Sequence, residues 1–328
     1  MNPTEPPYGR LGPDLILDAM AAVGWHGDGR LLALNSYENR VYQVWLEDGS
    51  ACVVKFYRPQ RWTDGQILEE HRFTQELAAE EIPVVAPLAV DGRTLHHFEG
   101  FRFAVYPRRG GRAPELDDPQ TLRWMGRFLG RLHAVGKRRS FDLRPSLSLA
   151  EFGTEPREWL KTAGLIPVPL QAAWQSVIDQ SLDAVAQAFD RVQSTQRLRL
   201  HGDCHPGNVL WTEDGPHFVD FDDARNGPAI QDLWMLLSGD APAMSEQLGL
   251  LLEGYRSFMD FDRSELALIE PLRTLRLIHY SAWIGRRWSD PAFPAAFPWF
   301  GSERYWQDRI LELREQLGAM AEPPLSLP

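Results

Sequence analysis

A chain of 328 residues exceeds one average domain, so two lobes or one large domain are expected, with ample sequence for a core. Its apolar fraction of 44% and aromatic fraction of 11% describe an ordinary globular protein, and a net charge of -11 argues against nonspecific binding to nucleic acid or to an anionic membrane. No uncharged apolar run approaches about 20 residues, so no spanning helix is expected. The two cysteines, Cys52 and Cys204, lie far apart without metal spacing, which points to a reducing, cytoplasmic setting. Met1 to Tyr8 carries Glu5 and three prolines rather than a basic and apolar signal pattern.

In chain order, Pro13 to Val23 reads as a helix, with Ile16, Leu17, Met20 and Val23 on helical spacing and Gly24 ending it. Leu31 to Leu34, Arg40 to Leu46 and Ala51 to Tyr57 read as three strands, the last two joined by the hairpin turn Glu47-Asp48-Gly49-Ser50. The first two are joined by Asn35-Ser36-Tyr37-Glu38-Asn39. In a kinase that turn would cover the phosphates, but it lacks glycines, so backbone N–H groups and the Ser36 hydroxyl would have to do the holding. A plain exposed turn is the alternative.

Period-2 alternation places Ala51, Val53, Lys55 and Tyr57 on one strand face, so an ammonium group shares that face with small apolar residues able to lie against a flat base. A lysine on a sheet face is usually solvated; a charge partner changes that reading. The helix expected from about Thr63 to Glu80 has its apolar stripe through Ile67, Thr74, Leu77 and Ala78. Glu70 falls inside the stripe, whereas Glu69 points away. Glu70 is therefore preferred to Glu69 as the partner that holds Lys55 on the phosphates.

Pro83 to Leu88 and Arg102 to Tyr106 read as further strands. The second runs into Tyr106-Pro107-Arg108-Arg109-Gly110-Gly111, a Pro/Gly-rich joint that suggests a nucleotide-binding lobe over 1–107 and a catalytic and substrate lobe over 108–328. Asp118 to Ala134 and Leu170 to Phe189 are expected helices. His133 reads as a helix-end packing residue, because no acid or nucleophile sits beside it in sequence.

The chemistry concentrates in His201-Gly202-Asp203-Cys204-His205-Pro206-Gly207-Asn208, then Phe218-Val219-Asp220-Phe221-Asp222-Asp223. Leu198 to Leu200, Val209 to Trp211 and Phe218 to Phe221 read as strands of a hairpin with its turn at Glu213-Asp214-Gly215-Pro216. An Asp five residues before an Asn, and a second Asp just past a strand, is how kinases space a base and two metal ligands. Phosphoryl transfer needs a carboxylate to receive the proton of the attacking hydroxyl, and Asp203 fits. It also needs oxygen ligands for Mg2+ on ATP, which the Asn208 amide and the Asp220 carboxylate can supply. A zinc site from His201, Asp203, Cys204 and His205 is the competing reading, but adjacent ligands without a second cluster match no common zinc pattern.

Beyond the hairpin, Asp223 to Pro228 reads as a turn, and Gln231 to Leu237 begins a helix. There Asp232 either complements the helix dipole or holds the catalytic-loop backbone from below. Ser245 to Leu317 is expected to be mostly helical, with Trp234, Trp283, Trp288, Trp299 and Trp306 serving the core. The apolar loop Asp290 to Trp299 either packs on the lobe or lines a substrate cleft.

Several segments together resemble the bacterial stress response kinase A family, within the aminoglycoside-phosphotransferase and protein-kinase-like superfamily. They are Asn35 to Tyr42, Val54-Lys55-Phe56-Tyr57-Arg58-Pro59, Ile67-Leu68-Glu69-Glu70-His71, Leu200 to His205, Asp222 to Pro228 and Asp290 to Pro294, and the likeness runs from about residue 10 to 325. It implies an α+β, two-lobed kinase fold with an N-terminal antiparallel sheet plus helix and a mainly helical C-terminal lobe. It also implies a cytoplasmic, ATP- and Mg2+-dependent serine/threonine protein kinase that protects cells under stress. By motif, Asp203 would be the base, Asn208 and Asp220 the Mg2+ ligands with Asp220 also counted catalytic, Ser36 a phosphate contact, and Lys55 with Glu70 the phosphate clamp.

Gly202 stands where eukaryotic protein kinases have the arginine of His-Arg-Asp, and Asp222 where they have the glycine of Asp-Phe-Gly. A phosphorylated activation loop then has no evident partner beside the base, so regulation is not expected to run through that switch. A monomer is expected. The alternatives are a small-molecule kinase for an aminoglycoside-, choline- or homoserine-like alcohol, using the same ATP machinery, and a nonenzymatic pseudokinase, which would need none of these five residues: Lys55, Glu70, Asp203, Asn208 and Asp220.

Overall fold

The computed structural model describes residues 6–192 and 196–327; the first five residues of the Met1 to Tyr8 segment lie outside them. In chain order the elements begin with α1 (Pro13–Ala21), β1 (Gly27–Ala33), β2 (Arg40–Leu46), β3 (Ala51–Phe56), α2 (Asp64–Ala79), β4 (His96–Phe98) and β5 (Phe101–Pro107). There follow α3 (Pro119–Gly136), α4 (Glu155–Thr162), α5 (Gln171–Arg191), β6 (Leu198–Leu200), β7 (Val209–Thr212), β8 (Gly215–Phe218) and β9 (Arg225–Gly227). The remainder is helical: α6 (Ile230–Trp234), α7 (Ala241–Tyr255), α8 (Ile269–Arg286), α9 (Ala292–Ala296) and α10 (Glu303–Ala321). Two compact units result. The first holds the described residues up to Pro114 together with Asp142–Arg144 and Pro206–Ala224, and the second holds Glu115–Phe141, Pro145–His205 and the chain from Arg225 onward.

The first unit is built on a five-stranded antiparallel sheet in the order β1-β2-β3-β5-β4. Alternation along β3 sends Cys52, Val54 and Phe56 into a core shared with Phe103 and Val105 of β5 and Ile16 and Met20 of α1. Val53 and Lys55 face the other way. The register pairs Lys55 with Val41 and with Ala104, and Val53 with Tyr106. Helix α2 starts in a capping box, in which the Thr63 hydroxyl accepts from the Gln66 N–H and the Gln66 side chain accepts from the Thr63 N–H.

Three expectations are corrected in this unit and the neighbouring motif. Pro83 to Leu88 is not a sheet strand: Pro83 and Pro87 lack N–H donors, and the segment makes a short parallel bridge from Val84 and Val85 to Phe218 and a single hydrogen bond from the Leu88 N–H to the Val105 carbonyl. The three-residue strand β4 lies where none was expected. The hairpin is β7 with β8, paired from Val209↔Phe218 to Thr212↔Gly215, while Phe221 already belongs to a 3-10 turn.

In the second unit Leu198–Leu200 pairs instead with Arg225–Gly227, a stretch read above as turn. The Asn226 side chain ties this pair to Phe141 by accepting from its N–H and donating to its carbonyl. Helices α3 and α7 meet backbone to backbone. A Cβ at Gly126 or Gly130 would collide with the carbonyls of Leu251 or Tyr255, and one at Gly254 with that of Arg123. The loop after α8 packs on its own unit: it folds as α9, with Phe293 fully buried and Phe297 beside it, among Trp306, Trp174 and Ile310. Trp306 is core as expected, whereas Trp299 is 43% exposed.

Glu265, buried before α8, accepts from the Ile230 N–H at 2.8 Å. Burial pushes its carboxyl up to about 7 from 4.5, against the pull of that hydrogen bond. The folded state therefore holds a proton that the unfolded state releases. This contribution to stability is complete below about pH 4.5 and is lost as pH rises through 7, in total about 3 kcal/mol. Glu265→Gln should keep the acceptor and flatten that slope, so the gap between melting temperatures at pH 5 and pH 8 should narrow relative to the wild type.

Candidate active site

Within the first unit, Ser36, Lys55, Glu70, Asn208 and Asp220 line one cavity of about 350 Å³. Val41, Val53, Val85 and Leu210 give it apolar walls, and the C-terminal residues of β5, Tyr106 and Pro107, add a further side. Ser36 arrives on the β1–β2 turn. Asn208 ends the 3-10 turn Pro206–Asn208 just before β7, and Asp220 follows β8, so the hairpin carries both ends of the motif to one place. The Val219 N–H donates to the Asn208 carbonyl at 3.0 Å and fixes that approach. Asp220 itself adopts φ 58°, ψ 65°, a left-handed conformation that Asp tolerates better than most residues.

Electrostatics differ from the expected clamp. The Lys55 Nζ donates to Asp220 Oδ1 at 2.9 Å and stands 3.2 Å from Asp222 Oδ1, an ion pair without hydrogen-bond geometry. Burial alone would lower the ammonium's pKa, but the Asp220 and Asp222 carboxylates, with Glu70 behind them, raise it well above its ordinary value. Glu70 lines the same cavity, yet its Oε2 is buried without a hydrogen-bond partner. Burial pushes its carboxyl up to about 7, with Lys55 and Arg144 pulling the other way. The expected Lys55–Glu70 ion pair is thus replaced by pairs to the two aspartates.

Asp222, only 2% exposed, is held in turn by Arg61, whose Nη1 donates to Asp222 Oδ2 at 2.5 Å while Nη2 donates to Asp223 at 2.9 Å. Although burial opposes it, the Arg61 guanidinium and then Lys55 bring the Asp222 carboxyl down to about 2.

Glu69 was expected to point away from the apolar stripe of its helix, but it is buried. It accepts the backbone N–H groups of Asp142, Leu143 and Arg144 at 2.8 to 2.9 Å, and Arg144 stacks on Trp62 and donates to the Ala224 carbonyl. A carboxylate serving three amides is a structural anchor. Glu69→Ala should cost about 3 kcal/mol of stability, read as a fall of several degrees in the melting temperature, with little change in the affinity of the surviving folded protein for ATP.

Within the second unit, Asp203 follows β6. Its Oδ1 accepts from the Arg276 guanidinium on α8 at 2.5 Å, and its Oδ2 lies 3.6 Å from His205 Nε2. Arg276 escaped the sequence reading because nothing local distinguishes it on its helix; an arginine does stand beside Asp203, supplied by α8 rather than by the motif. The backbone ahead of Asp203 is fixed from below. Asp232 accepts the N–H groups of His201 and Gly202, both at 2.8 Å, and Gln231 donates to the Gly202 carbonyl. His133 was read as having no acid beside it, but it sits fully buried with Nε2 3.1 Å from Asp232 Oδ2 and Nδ1 2.9 Å from the Tyr255 hydroxyl. Cys204 is buried and burial pushes its thiol well up, so it offers no thiolate, and the described residues contain no group of three or more His, Cys, Asp or Glu that could hold a metal by themselves.

Two oxygen donors, one amide and one carboxylate, on a cavity with a lysine suit a hard cation that keeps water and phosphate as its other ligands. A sequence model of the phosphotransferase enzyme family matches residues 30–269. The stress response kinase A of Escherichia coli is 50% identical over 327 residues, covering 100% of this chain and 99% of its own. The chain belongs to the stress response kinase A family of phosphotransferase enzymes. A second relative of this kinase, the serine/threonine protein kinase RdoA of Salmonella typhimurium, matches with the same 50% identity and coverage. Among solved structures, amicoumacin kinase hAmiN, in complex with AMP-PNP, Ca2+ and Ami, has a TM-score of 0.72 at 21% identity over 95% of this chain and 94% of its own. A microcompartment-associated aminopropanol kinase has a TM-score of 0.72 at 20% identity, over 96% of this chain and 100% of its own. At those identities the likeness is one of fold: α+β and kinase-like, with a five-stranded antiparallel sheet in one unit and mostly helices in the other. The chain is a kinase with ATP as phosphoryl donor, and among the described residues no helix is long and apolar enough to cross a membrane.

Proposed function

We propose that this kinase is an Mg2+-dependent serine/threonine protein kinase of the cytoplasm, acting as a monomer on a protein substrate in a stress response. The observation that carries the reading is the meeting of Asn208, Asp220, Lys55 and Ser36 on one cavity, in a chain half identical to relatives named as stress response and serine/threonine protein kinases. In the proposed assignment, Ser36 contacts the phosphates from the β1–β2 turn and Lys55 neutralises them. The Asn208 amide oxygen and the Asp220 carboxylate would hold Mg2+, which when bound offsets phosphate charge during transfer. Asp203 orients the acceptor hydroxyl and receives its proton at a carboxylate oxygen. The hydroxyl oxygen forms the new bond to the γ-phosphorus, the bond to the β–γ bridging oxygen breaks, and ADP leaves. We assign nucleotide binding to a lobe over 1–107 and catalysis and substrate binding to 108–328, of which the stretch Pro206–Ala224, with Asn208 and Asp220, belongs to the first unit.

Incubation with labelled ATP and Mg2+, beside a generic protein substrate and a panel of small alcohols, tests the acceptor class. Label on serine or threonine of protein is the expected result. Label on an aminoglycoside-, choline- or homoserine-like alcohol alone would overturn it, and a dimer in solution would overturn the monomer.

A further inference from the structure

We propose that Asp222, held in place by Arg61, is the carboxylate that positions Lys55 in this kinase, a part that Glu70 does not play. The inference rests on the reading of Lys55 as the phosphate-binding lysine.

Lys55 Nζ has two carboxylates within ion-pair distance, Asp220 at 2.9 Å and Asp222 at 3.2 Å. They are not equivalent. Asp220 is 49% exposed at its side chain and lines the cavity, as befits a group offered to a ligand. Asp222 is 4% exposed at its side chain and does not line it. A carboxylate committed to a cation cannot also be the fixed anchor of a lysine, which leaves Asp222 for that task.

Asp222 is itself rigidly placed. The two arms of the Arg61 guanidinium reach Asp222 and Asp223, its Nη1 also stands 3.5 Å from Glu38, and the Asp222 carbonyl accepts from Arg144. A planar fork fixed at both tips sets the carboxylate's orientation as a single point charge would not. Among the described residues no ion pair joins Glu70 to Lys55, and although Glu70 Oε2 and Asp222 Oδ1 are alike in being buried without a hydrogen-bond partner, only Asp222 has the Arg61 fork on its other oxygen. The residue that departs from Asp-Phe-Gly thereby gains a purpose, since glycine could not hold a lysine.

The test is the affinity for the ATP analogue AMP-PNP, measured by calorimetry with and without Mg2+, on the full chain. Asp222→Asn should weaken binding by about tenfold or more, while Glu70→Gln should change it by less than about threefold. Lys55→Met should weaken it comparably, and the double variant Lys55→Met/Asp222→Asn should be no weaker than Lys55→Met alone, because Asp222 acts through the lysine. A merely structural Asp222 would give additive losses, which would overturn the proposal. So would Glu70→Gln producing the large, non-additive loss in place of Asp222→Asn. Should Asp222→Asn fail to fold, Arg61→Met, which leaves the carboxylate but frees its orientation, takes its place and should show the same non-additivity with Lys55→Met; additive losses there would count against the anchor equally. Unchanged affinity in Lys55→Met would overturn the phosphate-clamp reading itself and the inference with it, and is told apart from the other failures by that single variant.

Discussion

Replacing Asp203 with alanine should cut phosphoryl transfer by roughly 100-fold or more while ATP binding persists. The expectation follows from the division of the chain. Ser36, Lys55, Asn208 and Asp220 line a cavity within the first unit, whereas Asp203 belongs to the second, where its carboxylate contacts Arg276 and His205. Removing the carboxylate should therefore leave the nucleotide's contacts intact and withdraw only the group that receives the hydroxyl proton. A steady-state assay with calorimetric ATP binding alongside it checks both halves. Unchanged turnover would remove Asp203 from the role of base. Asp203→Asn keeps the shape and should be nearly as damaging.

The second large effect is expected at the cation ligands. Asn208→Ala and Asp220→Ala should each weaken Mg2+-dependent nucleotide binding by roughly tenfold or more. The loss should be greater for Asp220, which brings a full charge, and Mg2+ titrations at fixed nucleotide would reveal it. Wild-type titrations in both variants would end the assignment. Because Asp220 has a left-handed backbone, Asp220→Asn is the cleaner partner variant: asparagine accepts that conformation, whereas alanine adds backbone strain to the loss of charge.

Much of this site was legible in the sequence because its residues announce themselves locally. The Asp-to-Asn spacing, the β7–β8 hairpin and the alternation along β3 each rest on neighbours within a few positions, and the structure brings Lys55, Glu70, Asn208 and Asp220 to one cavity. What escaped depends on long-range partners. Glu69 looked idle because the amides it serves come from residues 142–144, and His133 looked acid-free because Asp232 is distant in sequence. Arg276 and Arg61 carry no motif at all. The strand Arg225–Gly227 looked like a turn because three residues ending in glycine have too little pattern to oppose one, and only pairing with Leu198–Leu200 makes them a strand. The choice of Lys55's partner failed for a related reason: helical periodicity shows that Glu70 faces inward, but not that two aspartates reach the ammonium first.

The glycine contact between α3 and α7 has a consequence far from where it lies. Gly130 abuts the Tyr255 carbonyl, the Tyr255 hydroxyl meets the His133 ring, His133 meets Asp232, and Asp232 carries the amides of His201 and Gly202 just ahead of Asp203. With no flexible side chain at the first link to absorb a push, one added methyl at Gly130 would be relayed along a stack of stiff parts and would disturb the aim of a carboxylate it never touches.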